Sequence, residues 1–159
     1  LRGRREWIRA RCVLFYYPLP DELDLRPVLR EALAAGRVVA LPRYRAGEGE
    51  YEAAIIEDEE RDLRPGWAGI PEPHASCLPA ALNQLDLVLV PGVGFDRDGR
   101  RLGRGKGFYD RLLASVHGIR CGVAGEWQVL ESVPAEPHDE AVDCILTPMR
   151  WICCRPRTV

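Results

Sequence analysis

A glycine-rich loop with a single lysine is the part of the sequence best suited to bind a phosphate group. Residues 103–110 have the sequence GRGKGFYD and precede a predicted helix. Alternating glycines have no Cβ atoms, so backbone N–H groups can turn towards phosphate oxygens, and a helix amino terminus adds positive potential. Lys106 is the only lysine among 22 lysine and arginine residues, which favours a specific need for a compact ammonium group. The loop therefore predicts a phosphate site, with a solvated surface turn as the alternative.

The spacing of this loop differs from two familiar nucleotide-binding patterns. A Walker A loop would need glycine in place of Arg100 and serine or threonine in place of Gly107. A dinucleotide fingerprint starting at Gly92 and Gly94 would need a third glycine where Arg97 stands. The loop is therefore a candidate phosphate site of another type.

Two carboxylates near the loop are candidate magnesium ligands. Asp110 lies in the first predicted turn of the helix, where it can also serve simply as a cap. Asp139 lies in an irregular, proline-rich stretch and is freer to reach a ligand than Asp143, which we expect to begin a strand. Mg²⁺ takes one or two carboxylates and completes its shell with phosphate oxygens and water. Asp110 and Asp139 are therefore the predicted metal ligands.

Three aromatic residues lie close to the glycine motifs in sequence. Tyr109, Trp67 and Phe95 could supply a flat pocket for a planar ring system. For Trp67 and Phe95, plain core packing is the alternative interpretation.

The elements that must position these residues begin with a strand-helix-strand unit. Residues 13–17 are β-branched and aromatic, and Asp24 can cap a helix whose apolar stripe runs from Leu25 to Leu33 before Gly36 ends it. A second strand follows at 37–41 and should end at Pro42. Such a unit predicts parallel strands joined by a right-handed crossover.

Further strands are predicted along the rest of the chain. Residues 43–73 are predicted to be largely irregular, with one strand at 52–56. The sequence DLVLV at 86–90 predicts a buried strand. A tight hairpin is expected at Asp98-Gly99, and a helix face runs from 108 to 116. The last predicted strands are 119–124, 143–147 and, at an edge, 151–154. We expect one domain spanning 1–159, an α/β fold with helices on both faces of a mostly parallel sheet.

Charge is distributed unevenly along the sequence. Residues 48–62 contain eight acids and one arginine, which predicts a solvated loop or an edge-strand face. Residues 97–111 contain six bases and two acids, and they include the glycine loop. The basic segment therefore supports an anion site.

Composition limits the class of function. The 159 residues are 47% hydrophobic and 29% charged, as in an ordinary globular domain. Apolar runs are far shorter than the roughly 20 residues of a membrane span, and a net charge of -2 is unlike a general nucleic-acid coat. Six cysteines without CxxC spacing suggest a reduced protein, and no secretion leader is evident. We expect a cytoplasmic monomer that acts on a small molecule, with no membrane or nucleic-acid partner.

Three motifs together resemble one enzyme family. They are the long run DLVLVPGVGFDRDGRRLGRGKGFYDRLL at 86–113, the sequence GIPEP at 69–73 and the sequence PAEPHDEAVD at 134–143. The chain is similar to 5-formyltetrahydrofolate cyclo-ligases, also called methenyltetrahydrofolate synthetases. The resemblance implies a three-layer α/β/α sandwich that closes 5-formyltetrahydrofolate to 5,10-methenyltetrahydrofolate while MgATP becomes ADP and phosphate.

The resemblance also assigns roles to individual residues. Tyr109 and Trp67 are candidates for the pterin pocket because they are aromatic and lie near the glycine and GIPEP motifs, and Lys106 and Arg104 could supply the charge neutralisation that phosphoryl transfer needs. The resemblance implies that Glu22 contacts the pterin and that Asp110 and Asp139 hold Mg²⁺. The nucleotide contacts that it implies are Arg101, Leu102, Gly103, Arg104, Gly105, Lys106, Gly107, Phe108 and Tyr109.

Two departures and two alternatives accompany the resemblance. The family commonly has threonine where Leu25 stands, and its members begin with a longer basic helical segment than residues 1–11, so we expect a shortened amino terminus.

One alternative is a sugar-phosphate isomerase or acyl-CoA transferase of related fold, which would consume no ATP. The other is a non-catalytic module that binds a nucleotide or RNA phosphate.

Overall fold

Seven strands form the main sheet of the computed structural model, which describes residues 1–154 and leaves the last five residues of the predicted domain outside. The strands are β1 (Cys12–Leu14), β2 (Val38–Arg45), β3 (Glu50–Ile56), β6 (Leu87–Val90), β9 (Ile119–Val123), β10 (Cys144–Leu146) and β11 (Trp151–Cys153). Their order is β11-β10-β9-β6-β1-β2-β3. The five central strands are parallel, and the edge strands β3 and β11 are antiparallel to their neighbours. The predicted mostly parallel sheet is confirmed.

The remaining elements are short. Two small ribbons pair β4 (Leu63–Pro65) with β5 (Pro71–Pro73) and β7 (Gly94–Phe95) with β8 (Arg101–Leu102). The helices are α1 (Arg5–Arg9), α2 (Arg26–Ala34), α3 (Glu59–Asp62) and α4 (Phe108–Leu113). No helix within residues 1–154 is long and apolar enough to cross a bilayer.

Alternating residues of the central strands build two apolar layers, one on each face of the sheet. Val13 and Val39 face a core that includes Trp7 from α1 and Leu29 from α2. The next residue of each strand, such as Leu14, faces a second core that includes Leu112 and Leu113 from α4. This alternation is the period of two of a β-strand. Helices therefore cover both faces, which is the expected three-layer sandwich.

The predicted strand-helix-strand unit is present, with differences at its boundaries. The Asp24 carboxylate accepts a hydrogen bond from the Arg26 N–H at 2.9 Å, and Gly36 follows the helix with φ of 71°. The left-handed conformation at Gly36 is the helix stop that the sequence indicates. Strand β1 ends at Leu14 rather than at residue 17, although Phe15 and Tyr16 remain buried.

The prediction that the second strand ends at Pro42 is wrong, because β2 continues past this residue. Phe15 N–H donates to Ala40 O, so alternate residues of β2 direct their backbone polar groups towards β1. Pro42 is the next such residue, and the pairing with β1 stops at Ala40. A proline without an N–H therefore removes no ladder hydrogen bond there, and β2 continues beside β3 to Arg45.

Other predictions differ from the structure in extent. Residues 43–73 are more regular than expected, since they include the end of β2, all of β3, α3 and the β4–β5 ribbon. The acidic run at 48–62 begins in the turn before the edge strand β3, continues along β3 and ends in α3, so it includes both a loop and an edge strand. Helix α4 ends at Leu113 rather than at 116, and the hairpin at Asp98-Gly99 is confirmed by the pairing of β7 with β8. All six cysteines are free thiols.

The strand order creates a switch point between β1 and β6. The chain leaves β1 to form β2 and β3 on one side, and later forms β6, β9 and β10 on the other. In open parallel sheets, ligands bind in the crevice outside the carboxyl ends of the strands at such a point.

Candidate active site

A cavity of about 610 Å³ opens beyond the carboxyl ends of β1 and β6. Tyr16, Tyr17 and Leu19 reach it from the segment after β1, and Pro91 and Gly92 reach it from the segment after β6. Its volume is within the range of about 300–1,000 Å³ that is usual for small-molecule sites. The switch point of the sheet therefore carries a cavity large enough for a small molecule.

With the exception of Phe95, every residue that the sequence and the resemblance nominate lines this one cavity. The set comprises Glu22, Trp67, residues 101–110 and Asp139. These residues come from four separate parts of the chain. Folding therefore brings these predicted site residues together, and their individual roles stay predictions.

The glycine loop joins β8 to α4 along one side of the cavity. Gly105 and Gly107 have φ of 79° and 62°, a conformation that favours glycine. Arg104, Gly105 and Lys106 are exposed to solvent. The local sequence therefore presents two cations and turned backbone towards the open space.

Arg101 lies behind the loop and pairs with Asp110. The Arg101 Nη2 to Asp110 Oδ1 distance is 2.8 Å, and the two side chains are only 5% and 14% exposed. The guanidinium also lies 5.7 Å from the centre of the Tyr109 ring, and its Nε is buried without a hydrogen-bond partner among residues 1–154. Arg101 thus fixes the start of α4 against the loop.

The two predicted metal ligands differ in their surroundings. Within the described residues, both hydrogen bonds that Asp110 accepts use Oδ1, from Arg101 and from the Glu140 N–H. Asp139 accepts from the Glu136 N–H at 2.7 Å. Among residues 1–154, no cluster of three or more His, Cys, Asp or Glu forms a cation site. The two carboxylates line the same cavity as the glycine loop.

Glu22 is a poorly solvated carboxylate in the lining of the cavity. Its side chain is 12% exposed, and it accepts from the Leu19 N–H at 3.0 Å. Burial raises the pKa of Glu22 above its usual range. Arg104 of the glycine loop lies 2.9 Å from Asp21 and 3.9 Å from Glu22. The predicted folate contact and the glycine loop are therefore in direct electrostatic contact.

Tyrosine hydroxyls close to Glu22 stay protonated. Burial, together with the nearby Glu22 carboxylate, raises the pKa of Tyr109 and of Tyr16 well above the ordinary value. Tyr16 donates to Leu23 O at 3.2 Å. These tyrosines can therefore act as hydrogen-bond donors but not as bases near neutral pH.

Four aromatic rings form a cluster beside the loop. Trp67 lies 5.5 Å from Tyr44 and 5.9 Å from Phe108, and Tyr51 lies 5.0 Å from Phe108. These separations are typical of favourable edge and tilted contacts. Trp67 is 43% exposed, so its ring has a free surface. It is therefore available as a wall for a planar ligand.

Phe95 is not part of this wall. Its side chain is fully buried in the core, and a Cβ atom at Gly92 or Gly122 would lie within 2.7 Å of its ring. The interpretation of Phe95 as a pocket residue is therefore wrong, because the two glycines make a slot for it inside the molecule.

Three residues near the site were not singled out from the sequence. Tyr51 and Glu72 line the cavity, and Asp21 pairs with Arg104. Glu72 is part of the GIPEP motif, which was noted only as a whole. Tyr51 lies in a stretch that was expected to be largely irregular, so no sequence signal placed it at the site.

The fold and the site define an α/β protein whose basic, glycine-rich loop and cavity carboxylates lie at the switch point of a parallel sheet. Residues 1–148 match the family model of the 5-formyltetrahydrofolate cyclo-ligase family. The chain is 36% identical over 153 residues to a 5-formyltetrahydrofolate cyclo-ligase of Mycolicibacterium smegmatis, covering 91% of this chain and 77% of that protein. The chain therefore belongs to the 5-formyltetrahydrofolate cyclo-ligase family, as its resemblance implied.

Two solved structures are similar over most of the chain. The 5,10-methenyltetrahydrofolate synthetase of Aquifex aeolicus has a TM-score of 0.85 and 33% identity, covering 100% of this chain and 79% of that one. A 5,10-methenyltetrahydrofolate synthetase from Mycoplasma pneumoniae has a TM-score of 0.67 and 25% identity, covering 86% and 73%. The expected α/β fold class is confirmed.

Proposed function

We propose that this cavity performs the ATP- and magnesium-dependent cyclisation of 5-formyltetrahydrofolate to 5,10-methenyltetrahydrofolate, with release of ADP and phosphate. The observation that carries the proposal is the gathering of the glycine loop, Glu22, Trp67 and Asp139 around one cavity in a member of this family. The exposed aromatic surface is suited to hold the pterin, and the basic loop is suited to hold the phosphates.

The chemistry requires an activated formyl oxygen. A formamide oxygen is a poor leaving group, so attack by the neighbouring side-arm amine stalls unless that oxygen first accepts the γ-phosphoryl group of ATP. The amine nitrogen then bonds to the formyl carbon to close the five-membered ring, the bond from that carbon to the phosphorylated oxygen breaks to release phosphate, and the amine proton is lost. No protein nucleophile is needed, because phosphoryl transfer depends mainly on positioning and charge stabilisation.

The loop residues supply that positioning. Residues 101–109 wrap the nucleotide phosphates through backbone N–H groups, and Lys106 and Arg104 stabilise the charge on the transferring phosphoryl oxygens. Both cations are exposed at the cavity. Preorganised charges aimed at developing charge are the largest single contribution in many enzymes. The exposed position of Lys106 leaves it free to reach a phosphate.

Asp110 and Asp139 are the proposed magnesium ligands, and the donor set fits this cation. Two carboxylates line the same cavity as the loop, and Asp110 accepts its protein hydrogen bonds at Oδ1 only among the described residues. Bound Mg²⁺ would neutralise charge on the phosphates. Asp110 is also held in place by Arg101.

The folate side of the cavity is assigned to Glu22, Trp67 and Tyr109. Trp67 offers a ring face, and the poorly solvated Glu22 carboxylate can accept hydrogen bonds from a pterin N–H group. We further propose that the protein acts in the cytoplasm as a monomer without a nucleic-acid or membrane partner. Six free cysteines support a reducing compartment.

A product-stoichiometry assay tests this function. The protein is incubated with 5-formyltetrahydrofolate and MgATP, and the near-ultraviolet absorbance of the methenyl product is followed alongside ADP. We expect equal amounts of the two products and no reaction without ATP or after removal of Mg²⁺ by chelation. Folate-independent chemistry without ATP consumption would favour an isomerase or acyl-CoA transferase, and steeply salt-dependent RNA binding without turnover would favour a binding module.

A further inference from the structure

We infer that Glu72 is a positioning residue for the folate side of the cavity, where its buried carboxylate holds Trp67 and Tyr44 in place. The inference rests on the proposed function, because it concerns the wall that would face the pterin. Glu72 itself needs no contact with the substrate for this role.

Glu72 joins two segments that are distant in sequence. Its side chain lies at the cavity lining on β5, and the residue is only 7% exposed. Oε1 accepts from the Trp67 N–H at 3.2 Å, and Oε2 accepts from the Tyr44 N–H at 3.0 Å. One carboxylate therefore satisfies two backbone donors at two members of the aromatic cluster.

The carboxylate is held tightly by its surroundings. A Cβ atom at Gly66 would lie 2.4 Å from Cδ of Glu72 and 2.6 Å from its Oε2. Burial also raises the pKa of Glu72, which agrees with a poorly solvated position. The glycine at 66 thus leaves room for Glu72 directly beneath the Trp67 backbone.

The turn that carries Trp67 needs such an anchor. Ala68 has φ of 56° and ψ of 20°, a left-handed conformation that is unfavourable for a residue with a Cβ atom. The Trp67 ring is exposed on one side and meets Tyr44 and Phe108 on the other. Phe108 follows Lys106 by two residues, so the anchored cluster also borders the glycine loop.

Loss of the carboxylate should therefore affect folate binding more than nucleotide binding. Glu72→Ala leaves two backbone N–H groups without their acceptor, and the turn can relax and carry the Trp67 ring away from the cavity. We expect the KM for 5-formyltetrahydrofolate to rise about 10-fold and the KM for ATP to change by less than about 2-fold, on the scale of a lost buried hydrogen-bond acceptor. Glu72→Gln, which keeps the volume and one acceptor oxygen, should show a smaller rise.

A double-mutant cycle separates positioning from general damage to the fold. If Glu72 acts through Trp67, the variant Glu72→Ala/Trp67→Ala should bind 5-formyltetrahydrofolate no more weakly than Trp67→Ala alone. The matched control is Glu59→Ala, because Glu59 is a shielded carboxylate, 14% exposed and paired with Arg30, that is not among the cavity-lining residues. It should lower the melting temperature without changing either KM.

Equilibrium dialysis of 5-formyltetrahydrofolate provides a readout that does not depend on turnover. If the wild-type protein binds 5-formyltetrahydrofolate but forms no product, the proposed function is contradicted and the positioning role of Glu72 is not. Wild-type folate affinity in Glu72→Ala and Glu72→Gln, or fully additive losses from Glu72→Ala and Trp67→Ala, would overturn the positioning role of Glu72.

Discussion

Replacing Arg101 with methionine should lower the free energy of unfolding by about 2 kcal/mol, because it breaks a shielded ion pair. The Arg101 and Asp110 side chains are 5% and 14% exposed, with 2.8 Å between Nη2 and Oδ1. Removing one partner of a buried pair costs about 3–5 kcal/mol. Part of that cost is offset, since methionine also removes the unpartnered Arg101 Nε, worth about 1–3 kcal/mol.

The assay is a thermal melt with a matched control. For a chain of this size, a loss of about 2 kcal/mol corresponds to a decrease in Tm of about 4–8 °C. Arg26→Met is the control, because Arg26 and Asp24 have the same 2.8 Å separation but are 44% and 47% exposed. It should hardly change Tm, as solvent screens exposed pairs.

A double variant that replaces both members of the ion pair tests whether the unpaired charge causes the loss of stability. Replacing both Arg101 and Asp110 by uncharged residues removes the unpaired charge, so Arg101→Met/Asp110→Asn should melt closer to the wild type than Arg101→Met does. If Arg101→Met melts like Arg26→Met, the buried pair does not stabilise the start of α4, and the reasoning fails.

Three further outcomes are expected from the same geometry. MgATP at about 100 times its Kd should raise the free energy of unfolding by about 2.7 kcal/mol, seen as a Tm increase of about 5–10 °C, and a melting curve unmoved by MgATP would count against an ATP site. Asp139→Asn should raise the Mg²⁺ concentration for half-maximal turnover severalfold with an unchanged Tm, whereas an unchanged Mg²⁺ requirement would make this carboxylate structural. Gly66→Ala should cost about 1–3 kcal/mol of unfolding free energy, because the new Cβ would meet the anchored Glu72 side chain; a wild-type Tm would show that this side chain can move.

Local sequence was sufficient for those parts of the site that are continuous in the chain. The loop at 101–110 contains its own glycines, cations and helix start, so a phosphate site could be proposed there without knowledge of the fold. The α/β class followed in the same way, because alternating apolar residues and a glycine stop encode the unit from β1 to β2. Gly36 shows this directly, since its left-handed conformation is what the helix stop requires.

The rest depends on contacts between distant segments. Trp67 and Phe95 are equally aromatic, but only Phe95 meets the slot between Gly92, in the segment after β6, and Gly122 of β9. The proposed role of Glu72 depends on hydrogen bonds from the N–H groups of Tyr44 and Trp67, which only folding brings close to its carboxylate. Pro42 was misjudged for the same reason, because the cost of a missing N–H depends on whether a neighbouring strand is there to accept it.

The central claim is that the glycine loop transfers a phosphoryl group to the folate, and the turnover of Lys106→Met tests it most directly. Loss of one preorganised charge should lower kcat by about 100-fold or more, while 5-formyltetrahydrofolate binding stays near the wild-type value. Lys106→Arg should recover little, because a planar guanidinium cannot replace a compact ammonium between glycines. The measurement is the rate of methenyl product and ADP formation from 5-formyltetrahydrofolate and MgATP. The account predicts equal rates of both products in the wild type and their joint loss in Lys106→Met, and wild-type turnover by Lys106→Met would contradict it.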